Sequence, residues 1–292
     1  MAREARPEAR DLLRDGLSDS EPWVRGWAAR ALGSVGEPED GSAIAALLDD
    51  PNAGVIVQAL RALARMIGDG RRAPETHTRS RVVDLLDHED AGVRMTAVGT
   101  SSAWLRDEAL ASRLVQMVRG DEGFSGEQAL LALARGGEPV AFDLVTEALQ
   151  HPRPERRQAA ALAARELEAW DLVDRLDGDS SALVRVAVLD AMIAQEEGAE
   201  SAVRSALLDR DPVVRATALA YFEEHPVASG ETLAGALALA RRDRIADARI
   251  AAVAALRARA DHESLERGGI IVRLEELAES GDYQIRGCLL YT

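Results

Sequence analysis

Apolar residues recur along this chain at the spacing of a helix face. Val24, Ala28, Ala31, Leu32 and Val35 stand at i, i+4, i+7, i+8 and i+11, a single stripe at the helical period. Val214, Ala218, Tyr221 and Phe222 repeat it. A shorter stripe precedes each long one: Leu13 and Leu17, Ile44 and Leu48, Val82 and Leu86, Leu114 and Val118, Val145 and Leu149, Val203 and Leu207. The pattern predicts a repeated unit of helix A, tight turn and helix B. Gly36, Gly68 and Gly137 follow helix B, where a left-handed C-cap would sit. Asp19, Asp50, Asp179 and Asp209 precede it, where a carboxylate can cap amides or meet an arginine.

The unit carries a Val-Arg pair at the start of helix B: Val24-Arg25, Val93-Arg94, Val184-Arg185 and Val214-Arg215. Looser copies are Val55-Ile56, Arg156-Arg157 and Ala248-Arg249. Register set on the small residue four after the Val position gives Ala28, Ala59, Ala97, Ala129, Ala160, Val188, Ala218 and Ala252. The widest gap, between Ala59 and Ala97, contains the polar insert GDGRRAPETHT. One hairpin cannot cover its own apolar face, so neighbours must stack into a continuous core. Repeats three and four depart from the pattern. Thr100 and Ser101 replace an apolar pair and Ser125-Gly126 replaces Val-Arg, which predicts looser stacking or a bend there.

The string Asp…Val-Arg-x-x-Ala-x-x-Ala-Leu-Gly, best kept in DSEPWVRGWAARALGSVG at 19–36, resembles HEAT repeats, in particular the short variety also seen in bilin-lyase-like proteins. The resemblance extends across about 7–287. It implies an all-α fold, a right-handed α-solenoid of about eight to nine helical hairpins, in one array over 1–287. It also implies use as a scaffold, because the family is mainly that, and fold alone does not carry function.

The repeated arginines admit two roles. In one, Arg25, Arg94, Arg185, Arg215 and Arg249 form a ladder with acids of their own or the adjacent unit, among them Asp19, Asp179 and Asp209. In the other they form an anion-binding row. The accompanying acids favour the ladder. An exposed ion pair contributes about 0.2–1 kcal/mol, whereas burying one Leu or Val contributes about 1.5–3 kcal/mol. The apolar seam is therefore expected to hold the fold and the ladder to set its register.

Composition narrows the chemistry. Alanine and leucine are abundant and aromatics make up 3%, a bias towards helix. The net charge of -15 disfavours nucleic acid. It predicts an acidic B-helix face that prefers a basic segment and releases it in salt. The lone cysteine, Cys288, excludes a disulfide framework. No stretch has the length of apolar residues that a membrane span needs, and MAREARPEAR lacks the apolar core of a secretory signal, so the cytoplasm is expected.

Candidate catalytic signals are weak. His77, His88, His151, His225 and His262 form no HExxH. His88-Glu89 and His262-Glu263 are similar in kind to the iron-binding His-Glu pairs of deoxyhypusine hydroxylase, a HEAT-type enzyme, but they fall at turns. No metal site and no cofactor are expected. No phosphate-binding glycine loop or nucleophile elbow occurs. HEAT-like DNA glycosylases need a basic groove with aromatics. Trp23, Trp27, Trp104 and Trp170 are present, yet the chain is acidic, and the clusters Arg71/Arg72, Arg153/Arg156/Arg157 and Arg241/Arg242/Arg244 are expected mostly at turns. Trp27 lies within helix B of the first unit, and with Trp23 it is a candidate partner surface. The expectation is a non-catalytic scaffold that binds an unknown protein or another domain of its own chain. A bilin-lyase-like subunit and a glycosylase are the alternatives.

The terminus adds one further expectation. Asp282, Ile285 and Arg286 begin another helix B, which breaks off into CLLYT at 288–292. That string is similar to the translation of a transposon mosaic end used in sequencing-library preparation. The native segment is therefore expected to end near Gly287, as a fragment of a longer protein.

Overall fold

Among the described residues, alanine- and leucine-rich stretches bounded by Pro, Asn and Asp form helices. In the computed structural model, residues 7–70, 76–104, 108–120, 123–196, 198–225 and 252–253 are described. Arg249, Arg71/Arg72, Arg241/Arg242/Arg244, His262-Glu263, the 282–286 half-unit and the 288–292 tail lie outside them. Among the described residues there is no strand. Two units are distinguished, one of residues 1–150 with 166–168, the other of 151–165 with 169–292.

The first unit contains α1 (Pro7–Gly16), α2 (Pro22–Val35), α3 (Asp40–Ala46), α4 (Ala53–Gly68), α5 (Thr76–Leu85), α6 (Ala91–Thr100), α7 (Glu108–Arg119), α8 (Phe124–Arg135) and α9 (Val140–Ala148). Its extensive pairings are of two kinds. Hairpin mates meet, as in α1 with α2 and α7 with α8, and successive B helices meet in the order α2, α4, α6, α8. This is the nearest-neighbour stacking that the repeat requires.

Starts and stops follow local chemistry. Pro22 opens α2, where its missing N–H costs nothing. Asn52 caps α4 by accepting from the amides of Gly54 and Val55 at 3.0 and 3.3 Å. Gly137 has φ +70° and Gly70, two residues past the end of α4, has φ +73°, so both use the left-handed region open to glycine. Gly68 instead ends α4 itself. Gly36 is extended at φ -71°. It is crowded rather than left-handed, since a Cβ there would stand 2.5 Å from the Leu32 carbonyl oxygen.

A close approach joins α2 to α4. A Cβ on Gly33 would lie 2.6 Å from the Ala62 Cβ. Glycine facing alanine lets the backbones come together, and Leu32, Ile56, Leu60 and Leu63 are buried around them. Thr100 and Ser101 are accommodated by back-bonding. Thr100 Oγ1 donates to the Thr96 carbonyl at 2.8 Å and Ser101 Oγ to the Ala97 carbonyl at 2.6 Å. These bonds satisfy the hydroxyls, and α6 passes into a 3-10 turn, Ser101–Trp104, which buries Trp104.

The second unit contains α10 (Pro154–Glu166), α11 (Trp170–Asp174), α12 (Ala182–Ala194), α13 (Ala199–Ala206) and α14 (Pro212–Glu224). Here α12 packs on α11, α13 and α14, and α13 on α14. Val184, Val188, Val203, Leu207, Val214 and Leu219 form its core. Every register residue, Ala28, Ala59, Ala97, Ala129, Ala160, Val188, Ala218 and Ala252, is buried.

Candidate functional site

The turn arginines are engaged with the protein itself. Arg25 donates to both oxygens of Asp50, the turn aspartate of the following hairpin, at 2.6 and 2.9 Å. Its remaining nitrogen donates to the carbonyls of Asp19 and Ser20. Arg185 repeats this on Asp209, at 2.7 Å to each oxygen, and on the carbonyls of Asp179 and Ser180. Arg157 repeats it on Asp179 at 2.7 and 2.9 Å, and on the carbonyls of His151 and Pro152. Arg215 reaches the Asp209 carbonyl. Arg94 reaches the carbonyls of His88 and Glu89.

Each turn aspartate has a second task. One oxygen accepts the amide two residues on: Asp19 from Glu21, Asp50 from Asn52, Asp179 from Ser181, Asp209 from Asp211. The arginine hydrogen bond is the leading reason that Asp50, Asp179 and Asp209 are held below the ordinary carboxylate value. Guanidinium groups forked onto a carboxylate and two carbonyls have no open edge for an outside anion.

Arg157 and Asp50 belong to this set although the expected ladder did not include them, Arg157 standing only in a looser copy of the Val-Arg pair. The signal that finds Arg157 is the acid or histidine six residues before each turn arginine, here His151; Asp50 holds the same place six residues before Ile56. Where α4 has Ile56 at the arginine position, the next turn carries His88, whose Nδ1 accepts the Asp90 amide at 3.0 Å. His88 thus serves the turn. Among the described residues no cluster of three His, Cys, Asp or Glu side chains could hold a metal ion.

Trp23 and Trp27 are arranged differently. They lie one turn apart on α2, 67% and 61% exposed, and Arg30 stands 5.1 Å from the centre of the Trp27 ring, within cation–π range. Together with Gly26, Asn52, Gly54, Val55 and Gln58 they bound an open groove of about 460 Å³ between α2 and the start of α4. Its origin is a register substitution. Gly54 occupies in α4 the position of Trp23 in α2, and Gln58 that of Trp27. The indoles therefore face a helix with no bulk at one level and an amide at the next. A second cavity, of about 390 Å³, lies in the second unit. Its lining pair Arg185 and Asp209 is already mutually bonded. Trp104 is buried in the core and Trp170 is half-buried at the start of α11.

The expected acidic B-helix face does not occur on α2, α4 and α6. These helices contain no Asp or Glu. Arg30, Arg61 and Arg65 are exposed on α2 and α4, with Arg65 donating to Ser34 across the pair at 2.7 Å. The acids of this region fall on the A helices and turns, among them Asp11 and Asp15 of α1, Asp40 of α3 and Asp84 of α5. Net charge is a sum over all faces and does not describe any one of them.

Among the described residues no helix is long and apolar enough to cross a membrane. The family model for HEAT repeats matches residues 1–64, the span of the first two hairpins. No curated protein matches the chain. Similar solved structures include the complex of CpcE and CpcF of phycocyanin lyase from Nostoc sp. PCC7120, at 20% identity and TM-score 0.38 over 95% of this chain and 97% of that one. Human deoxyhypusine hydroxylase in complex with glycerol is similar at 21% identity and TM-score 0.36, over 87% and 97%. The karyopherin Kap121p bound to the extreme C-terminus of the protein phosphatase Cdc14p is similar at 13% identity and TM-score 0.48, over 97% of this chain and 41% of that one. The expectation of a non-catalytic chain is corrected by this comparison. Two of these structures are of enzymes, and stacked hairpins are a frame on which side chains can be set for chemistry or for binding alike.

Proposed function

We propose, starting from a chain whose residues 1–64 are HEAT repeats, that it binds a partner protein along the B-helix face of its first unit, with Trp23 and Trp27 as anchors. The observation that carries this reading is the pair of exposed indoles beside an open groove. Exposed tryptophans beside a concavity are the usual composition of a binding hot spot, and two indoles one turn apart on a rigid helix lose little entropy on contact. Arg25, Arg157 and Arg185 are assigned to register, because their donors are internally engaged. Panning an unbiased random-peptide display library on the full chain and on W23A/W27A tests the reading. Peptides enriched on the wild type are expected to be lost on the double variant, whose melting temperature should be unchanged because both side chains are exposed. Equal recovery on the two proteins would end it.

A further inference from the structure

The groove's surroundings allow its occupant to be specified. This step rests on the binding reading above and deepens it. Three observations converge. First, the face that contains the groove has cations and no anions: α2, α4 and α6 hold no carboxylate, and Arg30, Arg61 and Arg65 stand exposed on α2 and α4. Second, these arginines are spaced as a row. Arg61 occupies in α4 the place of Arg30 in α2, one repeat on. The Arg65–Ser34 hydrogen bond joins the two helices at the end opposite the tryptophans. Third, among the described residues neither Arg30 nor Arg61 has a carboxylate partner, in contrast to Arg25, which is held by Asp50.

We propose that the occupant is an acidic protein segment with a bulky apolar residue. The apolar side chain would enter between Trp27 and Gln58, and its acidic flank would run along Arg30 and Arg61. An apolar anchor is called for because the groove is walled by the exposed indoles of Trp23 and Trp27 and closed by Gly26, Gly54 and Val55, none of which carries a charge. An acidic flank is called for because the exposed charge along the face is of one sign. Carboxylates at the turns do not reverse that sign. Asp50 is neutralised by Arg25, and Glu21, exposed just ahead of Trp23, lies at the N-terminal edge of α2. A protein segment is favoured over a nucleic acid because the whole chain carries a net charge of -15. That field repels a long polyanion and tolerates a short one held at a local basic strip.

Three display libraries test this, with the same randomised apolar centre and flanks of Asp/Glu, Lys/Arg or Ser/Gln. They are panned on the full chain, on R30E/R61E and on W23A/W27A, with a short single-stranded oligonucleotide as a fourth probe. On the wild type the acidic library should exceed the basic one by about tenfold or more. R30E/R61E should abolish or invert that preference, and W23A/W27A should lose all three. Equal or basic-biased recovery that still depends on the tryptophans would overturn the acidic assignment and leave the groove as a binding site. Recovery indifferent to the tryptophans, or none from any library, would overturn both. A tryptophan-dependent preference for the oligonucleotide would overturn the choice of protein.

Discussion

At the scale of single residues, the turn aspartates do two things at once, and that gives acid stability a definite sign. Asp179 and Asp209 each accept one arginine and one backbone amide. Arginine pairing puts the folded-state value of both below the ordinary 3.8. A depressed carboxylate contributes stability that is complete above its unfolded value and is lost as pH falls through the folded one. D179N/D209N retains an amide oxygen for the turn but removes the charge. At neutral pH it should be less stable by about 1 kcal/mol per pair, a figure reduced for the solvent that still reaches the pairs. The difference from wild type should shrink as pH is lowered from about 7 to about 2.5, read as urea midpoints. A difference that stays constant over that range would remove the charge from the explanation. The spacing of these arginines, six residues after His151 and Asp179, is visible in the chain. Which carboxylate each arginine takes is not, because its partner belongs to the next hairpin.

At the scale of elements, the contact of α2 with α4 leaves no room for a side chain at Gly33. Gly33 meets Ala62 so closely that even a methyl group must displace backbone. Gly33→Ala should therefore destabilise the protein by about 1–3 kcal/mol, despite the helix propensity that alanine adds. The melting temperature is the measurement, and a rise would show that the helices are free to separate. The sequence pattern locates both helices and ends its repeat string on Gly33, but gives no reason for it, since a glycine within a helix reads only as a weak former. Its reason appears when the neighbouring helix is in place. In the same way Thr100 and Ser101, which read as a fault in the repeat, close their own hydrogen bonds and shorten α6 by passing it into a turn.

At the scale of the whole molecule, a net charge of -15 coexists with a strip from which carboxylates are absent. Association through that strip should weaken with salt, as the acidic reading also required, but with the partner's sign reversed. Raising ionic strength from roughly 50 to 500 mM should reduce affinity for an acidic peptide recovered from the panning, as screening shortens the reach of Arg30 and Arg61. Fluorescence anisotropy of a labelled copy measures it. Affinity that does not change with salt would leave the tryptophans as the sole source of binding. The hairpin unit, its register and the buried small residue in each B helix were determined by the chain itself, because helical periodicity is a local property and each copy states it again. The tertiary structure alone decided that Arg25, Arg157 and Arg185 each hold the aspartate of the next turn, that Trp23 and Trp27 line a groove with Gly54 and Gln58, and that Arg30, Arg61 and Arg65 stand exposed on α2 and α4. Those relations join residues one repeat apart, and they exist only once neighbouring hairpins have been brought together to cover their apolar sides.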